Sequence, residues 1–382
     1  MNSDGESIDF ALFFTVLAML TFGLVMVYSS SFILAQERTG DGFSFVKRQL
    51  IYAVMGMIGL FTVLRISLLT WKKYAIPFFS ISLLMLFLVL IPGLGVRVGG
   101  AQRWINLGFF NLQPAEIAKF AAVLFIAKQM DKKRADIQRF VPGIAAPFLG
   151  PLLLMGLLLL QPDFGSTVMI AVVGFALLLL GGVRKRYLLS IVSLGGLAGI
   201  FLILIAPYRK ARLMTFLDPW QDPLGKGFQV LQSMLALHNG GLLGTGLGNG
   251  KEKLFYLPEA HNDFIFAVIG EELGFVGVIA LVAAYTFFIY RGLKIAFTVY
   301  EKQADLFQSL LASGITLLLG IQGYVNMGVV LGVLPTKGLT LPFVSYGGSA
   351  LLIDLIMVGI LLRISKGNTF ERDHLAEARA RA

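Results

Sequence analysis

The chain has 382 residues, of which 57% are hydrophobic and 14% are charged, with a mean hydropathy of +0.79 and a net charge of +10. Soluble domains carry about 25% charged residues, so this composition excludes an ordinary soluble protein and predicts an integral membrane protein. The absence of cysteine excludes disulfides, iron–sulfur clusters and thiol catalysis. Its three histidines are not paired at a metal-ligand spacing, so no metal site built by the protein alone is predicted.

Apolar runs of about 20 residues recur along the chain, which is typical of membrane-spanning helices. We expect an all-α polytopic membrane protein with about ten transmembrane helices. It forms a single domain over 1–382, with one large extracytoplasmic loop over about 207–262 and a cytoplasmic tail over about 364–382. The first run follows an N-terminus without Lys or Arg and lacks a clear cleavage site, which indicates a retained span. The predicted spans are 9–28, 49–66, 74–91, 114–128, 141–160, 165–182, 187–206, 263–290, 304–332 and 342–363.

The distribution of basic residues predicts the orientation. With both termini in the cytoplasm, the inner segments carry 19 of the 32 Lys and Arg residues and the outer segments carry 12. The positive-inside rule therefore favours cytoplasmic termini in the cytoplasmic membrane. This topology and contact with anionic membrane lipids explain the positive net charge, so no nucleic-acid partner is expected.

The fourth span begins with Gln113-Pro-Ala-Glu-Ile-Ala-Lys119. Glu116 and Lys119 lie three residues apart and share a helix face. Two interpretations stay open: an internal ion pair, or a Lys119 directed at a substrate anion. Because Lys119 is the only Lys or Arg within a span, we predict that it pairs with Glu116, Glu271 or Glu272.

The long outer loop contains two features of its own. Apolar residues at helical spacing over 227–237 predict an amphipathic helix at the membrane surface. The run Gly244-Thr-Gly-Leu-Gly-Asn-Gly-Lys251 lacks the glycine spacing and the Ser or Thr of a phosphate loop, so it is interpreted as a surface turn.

Ionisable residues are concentrated where this loop enters the eighth span. They are Glu259, His261, Asp263, Glu271 and Glu272. Charge at the edge of the hydrocarbon is costly and marks functional sites. We interpret Glu259 and His261 as tuning or substrate-contacting groups, and Glu271 and Glu272 as buried ion-pair partners.

Asp263 has two interpretations at this position. It could cap the N-terminus of the eighth helix. However, small residues at 267, 270, 274 and 277 lie near its face in a continuous helix, and such residues permit close helix packing. Asp263 is therefore predicted to face the bundle, where a carboxylate suits a general base.

The segment Leu334-Pro-Thr-Lys-Gly-Leu-Thr-Leu-Pro-Phe-Val-Ser-Tyr-Gly-Gly-Ser349 joins the last two spans. Its prolines and glycines predict broken backbone, which is tolerated at membrane depth only where it is buried in protein or lines a wet cavity. Lys337 and Ser345 are its candidate ligand-binding groups. Asp354 follows within the last span, and no partner is predicted for it.

These features point to a class of substrate. Basic residues on the outer side suit phosphate, a placed carboxylate suits a hydroxyl, and apolar grooves suit a lipid tail. A lipid-linked phosphate handled at the outer leaflet satisfies all three.

Five motifs give the chain a resemblance to a known family, the SEDS family (shape, elongation, division and sporulation). It is more similar to the FtsW branch than to RodA or the sporulation paralogues. The motifs are Gly100-Ala-Gln-Arg-Trp-Ile105, Asn111-Leu-Gln-Pro-Ala-Glu116, Gln161-Pro-Asp-Phe-Gly165, Pro258-Glu-Ala-His-Asn-Asp-Phe-Ile-Phe-Ala267 and the 334–349 segment. The resemblance implies a peptidoglycan glycosyltransferase that polymerises lipid II at the outer face of the cytoplasmic membrane, during septal cell-wall synthesis.

The resemblance also assigns roles. It implies that Asp263 is the catalytic base, which deprotonates the acceptor hydroxyl. The residues expected to bind substrate are Arg103, Glu116, Lys119, Glu259, His261, Lys337 and Ser345. Basic residues or a divalent cation, Mg or Mn, would stabilise the pyrophosphate that leaves. The implied partners are a class B penicillin-binding protein, which is a transpeptidase, and other divisome proteins.

Two functions from other classes remain as alternatives. A lipid II flippase would also need many spans and buried charges, and a scaffold could recruit the synthase partner. The polar motifs cluster on the predicted outer side, whereas a flippase should offer a polar path to both faces. This distribution favours the enzyme.

Overall fold

The computed structural model describes residues 8–98, 101–106, 108, 111–223, 225, 227–251, 257, 259–335 and 338–367. Its helices are α1 (Phe10–Thr39), α2 (Ser44–Val63), α3 (Leu68–Leu90), α4 (Pro114–Lys132), α5 (Ala146–Leu160), α6 (Phe164–Leu180), α7 (Lys185–Ile205), α8 (Pro207–Leu217), α9 (Phe228–Gly240), α10 (Ile265–Gln303), α11 (Leu306–Val330) and α12 (Gly348–Ser365). A π-helical turn, Val141–Ala145, precedes α5, and 3-10 turns occupy Arg134–Asp136 and Pro219–Gln221. Strands β1 (Gly95–Val98), β2 (Ala101–Asn106) and β3 (Asn111–Leu112) form an antiparallel sheet in that order.

Each of the ten predicted spans coincides with a helix, which confirms the all-α polytopic membrane fold. In the described parts of the chain, eight helices are long and apolar enough to cross a membrane by themselves. The other two are α6, an apolar helix of 17 residues, and α4, which carries several charged residues. Two helices are longer than predicted: α1 extends to Thr39 and α10 to Gln303.

Both ends of the described chain lie at the same end of the bundle. The backbone N–H of Asp9 donates to Ser365 Oγ at 3.0 Å, and the Asp9 carboxylate pairs with Arg291 at 2.6 Å. We call this the terminal end. The opposite end, which carries the described residues of 206–264 and 331–347, is the loop end.

Burial within the bundle follows polarity rather than hydrophobicity. In the apolar 18-residue stretch of α11, 89% of the residues are buried inside the protein, whereas in the corresponding stretch of α7 only 6% are buried. Polar side chains on α11 and α4 are buried there, including Gln322, Asn326, Glu116 and Lys119. Lipid cannot hydrogen-bond such groups, so the helices that carry them lie at the centre and α7 lies at the periphery.

The amphipathic helix predicted over 227–237 is present as α9, and its predicted place on the membrane surface stays a prediction. Val230, Leu231 and Ala236 are buried, and Gly240 lies directly against the backbone of Gly270 in α10. One side of α9 therefore packs on protein, whereas Met234 and Leu235 are exposed. This contact places α9 beside the segment that follows Asp263.

Candidate active site

The first part of α10 folds back toward the interior of the bundle at Gly274, which has φ 66° and ψ −164°. Gly323 of α11 lies against the ring of Tyr285. The amide of Asn326, three positions further along α11, donates to the backbone oxygen of Asp263 at 2.8 Å. In a straight helix, the 22 positions from Asp263 to Tyr285 would span about 33 Å. The segment before Gly274 must therefore return toward α11, and the continuous eighth helix predicted from the sequence is wrong at this point.

A loop fills the break in α10. The backbone N–H of Thr245 donates to the backbone oxygen of Glu271, and that of Gly246 donates to the backbone oxygen of Glu272, both at 3.0 Å. In return, residues 275 and 276 donate their N–H groups to the oxygens of residues 241 and 242, at 2.9 and 3.2 Å. The glycine run at 244–251 thus includes a structural loop that satisfies backbone groups freed by the kink.

Asp263 lies at the start of the returning segment and is partly exposed. The N-cap of α10 is Phe264, without a side-chain capping bond, so the alternative that Asp263 caps this helix is wrong. A Cβ atom placed on Gly338 would lie 3.0 Å from Asp263 Oδ2. The carboxylate therefore faces the segment that joins α11 to α12.

The joining segment is irregular backbone whose polar groups are satisfied by side chains. Three side chains of α10 and α11 donate to its oxygens: Asn326 to Leu339 at 2.7 Å, Gln322 to Thr340 at 3.1 Å, and Tyr285 to Pro342. This is the condition under which broken backbone is tolerated at membrane depth. The sequence predicted such a segment, but not the three residues that hold it.

Ser345 lies within this segment and is buried. Its hydroxyl accepts from the N–H of Leu341 at 2.8 Å and donates to the oxygen of Asn262 at 2.7 Å. The hydroxyl therefore ties the segment to the residue before Asp263. This arrangement favours a structural role over the predicted contact with substrate. Lys337, its other predicted ligand group, lies outside the described residues.

Glu116 and Lys119 form a buried ion pair at 2.8 Å. The Lys119 ammonium also donates to Gln322 Oε1 at 2.6 Å. The predicted pairing with Glu116 is confirmed, and the internal ion pair is favoured over a lysine directed at substrate. Asp354, for which no partner was predicted, lies close enough to both residues to feel their charges.

Glu271 and Glu272 have other partners than Lys119. Glu271 Oε1 accepts from the N–H of Lys251 at 2.7 Å. The Glu272 carboxylate accepts from the Ser29 hydroxyl at 2.6 Å. The predicted pairing of either residue with Lys119 is therefore wrong. These two carboxylates join the returning segment of α10 to Lys251 and to α1.

His261 is buried two residues before Asp263. Its ring lies 4.8 Å from that of Phe45 and 5.6 Å from that of Tyr346, between centroids. Burial lowers the pKa of His261, and Arg38 acts in the same direction, whereas the nearby Glu259 opposes them. Glu259 itself is exposed with φ 57°. Glu259 thus lies close enough to act on the pKa of His261, while its predicted action on Asp263 stays a prediction.

Arg103 connects the small sheet to the turn before α6. It donates to the oxygens of Gln161 at 3.2 Å and Pro162 at 2.5 Å. Asp163 caps α6 by accepting from the N–H and the hydroxyl of Ser166. The Arg103 guanidinium therefore has an internal structural role beside its predicted role in substrate binding.

Contacts between motifs show that the five segments meet at the loop end. Arg103 of the first motif is hydrogen-bonded to Gln161 of the third. The N–H of Gln113 in the second motif donates to Ser349 Oγ in the fifth. Ser345 of the fifth motif donates to the backbone oxygen of Asn262 in the fourth. Gly165 of the third lies near Leu339 of the fifth. Segments distant in sequence are thus linked to one another at the loop end, and the fifth of them lies against the partly exposed carboxylate of Asp263.

Two functional candidates escaped the sequence argument, Gln322 and Asn326. Both are buried and lie four positions apart on α11. The signal was present, because amides are rare in an apolar span and need partners there. Because these side chains carry no charge, a prediction based on charged residues within spans does not include them.

Comparison with known proteins shows similarity over most of the chain. The profile of the family described as "Cell cycle protein" (FTSW_RODA_SPOVE) matches residues 10–369. The chain is 46% identical over 360 residues to a Geobacter metallireducens protein named "Probable peptidoglycan glycosyltransferase FtsW", covering 94% of this chain and 95% of that one. A Saccharophagus degradans protein of the same name is 42% identical over 360 residues, covering 94% and 92%.

Solved structures agree with this. A chain from the structure described as "Structural coordination of polymerization and crosslinking by a peptidoglycan synthase complex" matches with a TM-score of 0.76 at 33% identity, covering 95% of this chain and 98% of that one. Rod shape determining protein RodA of Thermus thermophilus matches with a TM-score of 0.70 at 30% identity, with the same coverage.

Proposed function

The chain belongs to the cell cycle protein family that includes FtsW, RodA and SpoVE, and from this premise we propose that it is a peptidoglycan glycosyltransferase that polymerises lipid II. The observation that carries the proposal is that the five motif segments are joined to one another at the loop end, where the 334–349 segment lies against Asp263. The relatives named as FtsW support an assignment to septal synthesis during cell division.

The reaction needs one base and a stabilised leaving group. Asp263 accepts the proton of the 4-hydroxyl of the GlcNAc in the acceptor lipid II. The oxygen then attacks C1 of the MurNAc at the donor end, and the bond from C1 to the pyrophosphate oxygen breaks. Undecaprenyl pyrophosphate leaves with the bonding electrons. The partial exposure of the Asp263 carboxylate at the loop end supports this role.

In this proposal, a divalent cation would accompany the pyrophosphate at this site. Among the described residues, no group of three or more His, Cys, Asp or Glu could hold a metal ion. Asp263 offers one carboxylate, and the buried Oδ1 of the adjacent Asn262 has no hydrogen-bond partner within the described structure. Magnesium is commonly held by one or two carboxylates together with substrate phosphates and water. The cation would offset negative charge on the leaving pyrophosphate.

The orientation and partners follow from the same proposal. The loop end faces outward and the terminal end faces the cytoplasm, as the distribution of basic residues indicates. The similar chain in the peptidoglycan synthase complex supports a class B penicillin-binding protein as partner. Other divisome proteins would bring this pair to the septum.

Purified protein tests the function directly. With its class B partner and lipid II in detergent, it should produce glycan chains of many disaccharides. In liposomes loaded with fluorescent lipid II, it should not accelerate exchange between leaflets. Leaflet exchange without glycan chains would favour the flippase, and neither activity would favour the scaffold.

A further inference from the structure

We propose that Gln322 and Asn326 are positioning residues for this transfer, and that Lys119 acts on the reaction through Gln322 rather than by touching substrate. The inference rests on the proposed function and assigns to α11 the placement of the base. It also gives the buried charged pair a defined task.

The two amides hold both sides of the site from one helix. Gln322 and Asn326 are one turn apart and are 1% and 2% exposed. Gln322 Nε2 donates to the oxygen of Thr340 at 3.1 Å. Asn326 Nδ2 donates to the oxygens of Asp263 at 2.8 Å and Leu339 at 2.7 Å. A single amide therefore links the backbone of the base to the segment that its carboxylate faces.

Lys119 determines which way the Gln322 amide points. An ammonium only donates hydrogen bonds, so the atom that meets Lys119 Nζ at 2.6 Å must be the amide oxygen. The amide nitrogen is then directed at the backbone oxygen of Thr340, which can only accept hydrogen bonds. Glu116 stabilises the charge on Lys119 at 2.8 Å. If the amide were reversed, its nitrogen would face the Lys119 ammonium, which is also a donor, and its oxygen would face the backbone oxygen of Thr340, which is also an acceptor. The ion pair therefore selects one orientation of the Gln322 amide.

Lys119 is poorly placed to bind substrate itself. Its side chain is 1% exposed, and its ammonium is engaged by Glu116 and Gln322. A path of contacts instead leads from Lys119 to Asp263. Lys119 is hydrogen-bonded to Gln322, which is hydrogen-bonded to Thr340. Leu339, the neighbour of Thr340 in the chain, accepts a hydrogen bond from Asn326, and Asn326 also donates to Asp263. A displacement of about 1 Å in a reacting group can cost about 100-fold in rate. Loss of this path should therefore lower kcat, while KM for lipid II should change little.

A cycle of variants tests the path. The variants are Gln322→Leu, the paired change Glu116→Gln with Lys119→Met, and all three together. The paired change avoids a buried unpaired charge. We expect Gln322→Leu and the paired change each to lower kcat by about 10- to 100-fold with KM within about 2-fold. The triple variant should be no slower than the slower of the two, because both act through one path.

Two further variants guard against simple loss of folding. Gln322→Glu keeps a partner for Lys119 but cannot donate to Thr340, so it should lose kcat as Gln322→Leu does. Gln308→Leu replaces a buried amide at the terminal end of the same helix, and it should leave kcat unchanged. Thermal stability of each variant is measured in parallel.

The results separate the alternatives. If the losses in kcat multiply in the triple variant, the two changes do not act through one path and the inference is overturned. If the paired change raises KM and leaves kcat unchanged, the inference is also overturned, and Lys119 is a substrate ligand. If the unaltered protein produces no glycan, the proposed function has failed independently. Hydrogen exchange of 338–345 then decides the structural part: Gln322→Leu should speed exchange in this segment, and unchanged exchange would contradict the inference.

Discussion

The side-chain amide of Asn326 donates a hydrogen bond of 2.8 Å to the backbone oxygen of Asp263. This bond places the candidate base one turn below the loop end of α11, within the bundle. The kink at Gly274 makes the placement possible, because it returns the start of α10 toward α11. The site therefore depends on backbone geometry some ten residues away from the reacting group.

Gly274→Ala should destabilise the protein and impair the site. Residue 274 has φ 66°, and an added Cβ would lie 2.3 Å from the backbone nitrogen of Gly244 and 2.6 Å from the oxygen of Leu242. Strain of this kind costs about 1–3 kcal/mol before the clash is counted. Gly156→Ala is the matched control, since α5 leaves its Cβ position open. Equal melting temperatures for the two variants in detergent would contradict the kink.

Lys119→Met should be more harmful than removal of both partners. The single change leaves Glu116 buried and unpaired, which typically costs about 3–5 kcal/mol. Glu116→Gln combined with Lys119→Met should cost less, because neither charge of the pair is left without the other. The exposed pair of Asp41 and Lys47 gives the comparison, and Lys47→Met should cost at most about 1 kcal/mol. Unfolding titrations measure all three, and a double variant less stable than Lys119→Met would be evidence against the pair.

Stability should fall as the pH falls below the ordinary pKa of histidine, 6.5. Burial lowers the pKa of His261 in the folded protein, so the unfolded chain binds this proton more readily. The contribution to stability is complete above pH 6.5 and is lost as the pH falls toward the lower, folded pKa. His261→Phe retains packing against Phe45 and Tyr346 and should reduce the loss of thermal stability between about pH 7.5 and about pH 5. The exposed His238, changed to Gln, is the control, and identical pH profiles for all three proteins would refute this.

Much of the fold could be predicted from the sequence, because apolar runs of membrane length leave few alternatives to helices. The pair of Glu116 and Lys119 was also predictable, since a buried lysine needs an anion close by on its own helix face. The kink was not. Gly274 in an apolar run has the same signature as a glycine that only permits close packing, and the broken helix depends on a loop more than 20 residues earlier.

The partners of Glu271 and Glu272 escaped prediction for a related reason. The sequence offered Lys119 as the cation within a span, whereas the donors to these carboxylates in the described parts of the chain include a backbone N–H and the Ser29 hydroxyl. Neutral donors are numerous and leave no compositional signal. The amides of α11 were missed in the same way, although their buried positions make them central to the site.

The central claim, that Asp263 is the base of a glycan polymerase, is tested most directly by one measurement. Asp263→Asn preserves size and the backbone contact with Asn326 but cannot accept the proton. With lipid II and the class B partner, its rate of glycan formation should fall by about 100- to 10,000-fold, while Asp41→Asn, an exposed carboxylate at the loop end, should match the unaltered protein. Glycan formation by Asp263→Asn at the unaltered rate would contradict the account.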